Sequence, residues 1–211
     1  MDVDPERAAR LLLRERDAVL PLLTALGDGD ADRPTVLPGW SVRDVVAHCA
    51  AAMSLVGRGE SSGWSAEENQ RDVDERRSWP FEQVLAELSA GYEAAARAVA
   101  GAGGALDGLA LGEWVHGGDI REALGVPDAY ASEGIEDALE LIEQRSRLRR
   151  FSVPPTTVVL PDRELVLGHP PATARLTADA ATLVRLCAGR SPDPARYSLT
   201  GAAPEQLLLF R

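Results

Sequence analysis

Leu37-Pro-Gly-Trp-Ser-Val-Arg-Asp-Val-Val-Ala-His-Cys-Ala-Ala-Ala-Met53 is the stretch whose reading decides the fold. Pro38 and Gly39 make a turn, Ser41 is an N-cap residue, and Asp44 at the third helical position completes a capping-box arrangement. Val42, Val45, Val46, Cys49 and Met53 then recur at helical spacing. An amphipathic helix follows, with one apolar stripe to bury and His48 roughly 110° from its centre, at the border of that stripe.

A buried stripe needs partners, and the flanking sequence supplies them. Upstream, a helix is predicted over 5–26, capped by Asp4, with Leu11, Leu12, Ala18, Leu22 and Leu26 in register and Pro21 expected to kink or split it. Downstream, 57–79 is rich in Gly, Ser, Glu and Arg and reads as a long binding or lid-like loop with at most one polar helical turn. A helix over 80–100 carries Phe81, Val84, Leu85, Leu88, Tyr92 and Ala95, and another over 106–124 stops at Gly125-Val-Pro127. Four such helices with mostly short connections predict a bundle over 1–127.

The texture then changes. After a helix over 135–148, Thr156-Thr-Val-Val-Leu160 and Glu164-Leu-Val-Leu-Gly168 flank a Pro-Asp-Arg turn and read as a hairpin. Further segments are predicted at 172–177 (strand), 180–188 (helix), 197–200 (strand) and 204–210 (short amphipathic helix). The expectation is a small α+β domain over 128–211.

Composition narrows function. Of 211 residues, 22 are basic and 33 acidic, for a net charge of −11. That argues against nucleic acid and anionic membrane surfaces as partners. Every basic residue is arginine, so lysine-based mechanisms are excluded. Two cysteines are too few for a disulfide framework, and with no signal-like or membrane-spanning run a cytoplasmic location is expected.

Chemistry concentrates on two histidines. His116 shares a helical stripe with Leu109, Gly112, Ile120 and Ala123, and Glu113 lies one turn back. A carboxylate beside an apolar stripe calls for a partner or a metal. Glu113-x-x-His116 with His48 from a facing helix is a donor set for Zn²⁺ or a similar divalent ion with a position left open. Asp119, one turn beyond His116, can replace Glu113 or orient the imidazole. The plainer reading is that each histidine is simply a satisfied core or edge residue. Cys49 points into the apolar stripe and reads as a buried structural thiol, Trp40 and Trp114 as core anchors or pocket walls, and His169 as a turn residue. The arginines of 71–77 and Arg190 are candidates to hold a carboxylate.

Pro34-Thr-Val-Leu-Pro-Gly-Trp-Ser-Val-Arg-Asp-Val-Val-Ala-His48 resembles a signature of the mycothiol-dependent maleylpyruvate isomerase family, within the DinB-like metalloenzyme superfamily of actinobacteria. Glu113-Trp-Val-His-Gly-Gly-Asp-Ile-Arg-Glu-Ala-Leu-Gly125 is similar to its second signature, and Leu186-Cys-Ala-Gly-Arg190 with the strand behind it to a sterol-carrier-like domain. The resemblance implies a DinB-like four-helix bundle followed by a sterol-carrier-like α+β domain. It implies a metal on His48, His116 and a glutamate, although the family's glutamate position falls on Gly112 and the acid here is Glu113. It implies mycothiol as thiol and Arg190 as the substrate-binding arginine.

Two functions follow as expectations. One is a metal- and mycothiol-dependent enzyme that isomerises a small electrophilic substrate or transfers the thiol to it, as a monomer or homodimer. The other is a metal-free small-molecule-binding protein that keeps the fold without catalysis.

Overall fold

The computed structural model describes residues 4–60 and 64–210. The chain divides into two compact units, Met1–Ala129 and Tyr130–Arg211. Helices and a four-stranded sheet together make an α+β protein.

The first unit holds α1 (Arg7–Thr24), α2 (Val42–Gly57), α3 (Ala66–Arg76), α4 (Phe81–Gly101) and α5 (Asp107–Ala123). α1, α2, α4 and α5 pack on one another. Their apolar stripes meet in a core of Leu11, Leu12, Val45, Val46, Met53, Val84, Leu88, Leu111 and Trp114, all essentially inaccessible to water. The capping box that starts α2 is formed: Ser41 Oγ accepts from the Asp44 N–H at 3.3 Å, and Asp44 Oδ2 accepts from the Ser41 N–H at 2.8 Å.

α1 runs unbroken through Pro21, against the expected kink or split. Pro21 sits in the exposed last turn, where one missing amide hydrogen bond leaves a carbonyl to water and the ring meets no packed neighbour.

A larger difference lies in 57–79, where α3 is an eleven-residue helix rather than a loop. Ser65 Oγ accepts from the Glu68 N–H, and Glu68 Oε2 from the Ser65 N–H, in a second capping box. Only a narrow face of α3 is buried, so its composition stays polar and hides the helical period. Residues 61–63, also within that stretch, lie outside the described residues.

α2 and α4 approach closely because small residues line their contact. A Cβ added at Gly91 would lie 2.8 Å from the Met53 Cβ and 3.1 Å from the Met53 carbonyl carbon. Gly91→Ala is therefore expected to destabilise by about 1–3 kcal/mol, the cost of overpacking. Helix propensity alone predicts a gain of roughly 1 kcal/mol. Urea denaturation gives the sign.

In the second unit, α6 (Ile135–Ser146) and α7 (Ala180–Cys187) accompany strands β1 (Thr156–Val159), β2 (Glu164–Leu167), β3 (Ala174–Ala178) and β4 (Tyr197–Thr200). The strand order is β2-β1-β3-β4, with β1 antiparallel to β2, parallel to β3, and β3 antiparallel to β4. Alternation sends Val158, Leu167 and Leu176 into the core with Ile142, Leu183 and Cys187. The tail expected as a short helix is a 3-10 turn, Pro204–Leu207, that buries Leu207 and Leu209.

Candidate functional site

Four helices of the first unit carry buried polar side chains into the bundle. His48 on α2 is 8% exposed, and its Nδ1 is buried with no hydrogen-bond partner. His116 on α5 faces it, the ring centroids 5.2 Å apart and the planes nearly perpendicular at 83°. Trp40, in the turn before α2, lies 5.3 Å from the His48 ring and donates its indole N–H to Gln70 Oε1 on α3 at 3.0 Å. Trp40 is thus a wall of this centre, while Trp114 is a core residue.

The two histidines differ electrostatically. Burial, helped by the neighbouring His116 and the Arg76 charge, pushes the His48 imidazole down to about 3, so it is neutral. His116 is 20% exposed at the side chain, and its Nδ1 lies 3.0 Å from Oδ2 of Asp119, which is fully buried. An ionised carboxylate only accepts, so Nδ1 carries the proton in that bond. Nε2 is then the ring nitrogen that Asp119 leaves unengaged.

Glu113 is also buried. Its Oε1 accepts from the Tyr92 hydroxyl of α4 at 2.7 Å, and the Cys49 thiol bonds the same carboxyl. Burial raises the Glu113 carboxyl, and burial beside Glu113 pushes the Cys49 thiol well up, so neither a reactive thiolate nor an ordinary surface acid is present. Below them Glu15 of α1 and Arg121 of α5 form a two-bonded ion pair at 2.8 and 3.2 Å, with Arg121 also donating to the Ala129 carbonyl.

Held against a three-ligand metal centre, two of these donors fit as they stand and the third is engaged elsewhere. The unsatisfied Nδ1 of His48 suits a ligand, and His116 has a nitrogen to offer. The third donor is missing: position 112 is glycine, Glu113 is engaged by Tyr92 and Cys49, and Asp119 holds His116. Among the described residues, no three His, Cys, Asp or Glu side chains are grouped so as to hold a metal ion.

The remaining candidates are placed as follows. Arg76 does bind a carboxylate two-handedly, but it is the chain's own Glu87, at 2.6 and 2.7 Å. Arg77 pairs with Asp74. Arg190 belongs to the second unit, where it donates to the Ala188 carbonyl at 2.7 Å. His169 lies 3.0 Å from the Arg147 carbonyl as a turn residue. Sequence reasoning missed Glu15, Tyr92 and Arg121. Leu11, Glu15, Val19 and Leu23 form one i,i+4 row, and an acid in such a row was the available signal for a buried pair.

His48 gives a pH prediction whose sign can be worked out. Between about 6.5 and 3 the unfolded chain binds a proton that the folded chain refuses, so stability falls as pH drops through that window. Glu15, raised to about 7 by burial, and Glu113, also raised, act oppositely and favour the fold toward low pH. The difference between two chains isolates His48. From pH 7 to pH 5 wild type is expected to lose about 2 kcal/mol more than His48→Asn in urea titrations. Equal losses would contradict the buried, neutral imidazole.

Comparison with known proteins completes the description. Residues 12–115 match the family described as the mycothiol maleylpyruvate isomerase N-terminal domain. A crystal structure of the mycothiol-dependent maleylpyruvate isomerase superposes with a TM-score of 0.62 at 14% identity, over 97% of this chain and 96% of that one. A crystal structure of a histidine-to-alanine mutant of that enzyme does so with a TM-score of 0.62 at 13% identity and the same coverage. At these identities the likeness is one of fold. No curated protein matches the chain.

Proposed function

We propose, from the match of residues 12–115 to the mycothiol maleylpyruvate isomerase N-terminal domain family, that the chain is a thiol-dependent enzyme acting at the His48–His116 centre on a small electrophilic substrate. The observation that carries this reading is the Asp119–His116 pair beside a neutral His48. A base oriented by a buried carboxylate can take the proton of a thiol at neutral pH.

On this reading the steps are these. Nε2 of His116 takes the proton of mycothiol's S–H, and Asp119 stabilises the imidazolium. The thiolate adds to an activated C=C bond, its electrons passing to the conjugated carbonyl oxygen. The former double bond rotates as a single bond. The electrons return, the C–S bond breaks, and the departing thiolate recovers its proton from His116. The same addition without elimination, the carbanion taking the proton from His116, is S-transfer. Neutral His48 offers a hydrogen bond to the substrate. The reading places the reaction in a reducing cytoplasm.

A second reading is favoured by the unsatisfied Nδ1 of His48. It keeps a divalent ion, Zn²⁺, on His48 and His116, with Glu113 released from Tyr92 as third ligand. One experiment separates the readings: turnover of maleylpyruvate with and without mycothiol, on protein treated with chelator and assayed for metal. Mycothiol-dependent turnover that survives chelation supports the first. Stoichiometric zinc with activity lost on its removal supports the second. Absence of turnover with retained ligand binding leaves a non-catalytic binding protein.

A further inference from the structure

The two rings of the His48–His116 centre are held in different ways. His116 has a carboxylate on its Nδ1, the Asp119 oxygen at 3.0 Å. The Nδ1 of His48 is buried without any hydrogen-bond partner. Rotation of an imidazole about its Cβ–Cγ bond is soft, and a hydrogen bond to the second nitrogen is the usual means of fixing it. What His48 meets instead is rings. The Trp40 indole lies 5.3 Å away at a tilt of 52°, and His116 lies 5.2 Å away at 83°.

The indole is itself fixed at both ends. The Trp40 carbonyl accepts from the N–H and the hydroxyl of Thr35, both at 2.9 Å, which pins the turn before α2. At the far end the indole N–H donates to Gln70 Oε1 at 3.0 Å. An indole only donates and a carboxylate only accepts, so the Gln70 amide can face them in one orientation alone. Its Oε1 meets Trp40, and its Nε2 donates to Asp74 Oδ1 at 3.0 Å. Asp74 is exposed, one turn further along α3, and also accepts from Arg77 at 2.7 Å. A chain of contacts thus runs from the outer side of α3 to the imidazole whose Nδ1 nothing holds.

We propose that Trp40 and Gln70 are positioning residues for His48. Gln70 sets the plane of the indole, and the indole sets the plane of the imidazole, since tilted ring pairs have preferred geometries beyond the area they bury. Neither residue acts on the reacting atoms. The inference rests on the thiol-dependent reading for its kinetic consequence and stands on the contacts alone for its structural one.

Gln70→Leu, in the full chain, tests it. The chain has three histidines, so carbon–proton correlation spectra resolve each imidazole, with the His48 signals identified by their loss in His48→Asn. An indole ring current shifts neighbouring protons, so a turned Trp40 is expected to move the His48 signals while those of His169 stay. In turnover of maleylpyruvate with mycothiol, Gln70→Leu is expected to lower kcat about ten-fold, short of the roughly 10²-fold that a misplacement of about 1 Å costs. KM should stay within about two-fold. In Trp40→Phe, which has no N–H to give, adding Gln70→Leu is expected to change neither kcat nor the His48 signals further. A general structural role for Gln70 would not produce that coupling. Unmoved His48 signals in Gln70→Leu, or an unchanged kcat in an active enzyme, overturn the positioning role. A loss as large in Trp40→Phe as in wild type overturns it too, because Gln70 would then act through Asp74 or the helix. An inactive wild type whose His48 signals still move in Gln70→Leu supports the positioning role and overturns the thiol-dependent function.

Discussion

Gly117→Ala is expected to lower the stability of the chain by about 3–5 kcal/mol, the cost of breaking a buried ion pair. By propensity alone the substitution should stabilise, since alanine exceeds glycine by roughly 1 kcal/mol inside a helix. Packing reverses the sign. A Cβ at position 117 would fall 1.6 Å from Glu15 Oε1 and 2.5 Å from its Cδ. The carboxylate is the far end of a flexible side chain, yet it cannot simply step aside. It is fully buried and clamped by two nitrogens of Arg121, itself 5% exposed. Moving it leaves a guanidinium uncompensated in the bundle. Glu15→Ala is expected to cost a similar amount for the same reason. In the Glu15→Ala background the clash is gone, so adding Gly117→Ala should cost nothing or recover the propensity gain. That coupling is the decisive reading. Additive losses in urea midpoints at constant m would mean that Gly117 and Glu15 act independently, against the close approach.

What could be read from sequence, and what could not, divides along a physical line. The α2 start was legible because Ser41 and Asp44 are local signals, and the His48 position followed from a stripe only four turns long. His116 was legible for the same reason, and the two rings do face each other. Glu113 was recognisable as an acid needing a partner, but the partner is Tyr92, 21 residues earlier on another helix. Helical period says which residues share a face and nothing about which facing side chain reaches them. α3 was hidden because a helix that buries only Asp72, Val73 and Arg76 carries almost no apolar period, although its Ser65–Glu68 capping box stood in the sequence. Glu15 was readable as an oddity in a buried row, but its partner Arg121 lies 106 residues away and no local signal joins the two.

His116→Ala is expected to lower kcat for thiol addition by 10²- to 10⁴-fold, the usual worth of a positioned base. Asp119→Asn is expected to fall in the same range, by a different route. An asparagine amide can donate to Nδ1, which would move the ring proton to Nε2 and leave no lone pair facing the thiol. Both changes act on proton transfer and not on how the thiol is held, so the Kd for mycothiol should stay within about two-fold of wild type. The loss should also shrink with pH. As the medium approaches the thiol's own pKa, near 8.5, solvent supplies the thiolate and the base is no longer needed. Rates of wild type and His116→Ala measured from pH 6.5 to 9.5 should therefore converge. A metal-held thiolate predicts otherwise: His48→Ala and His116→Ala would lose zinc and activity together, and added hydroxide would restore neither. Asp119→Asn at wild-type kcat, or a His116→Ala deficit constant with pH, would remove the imidazole base from the mechanism.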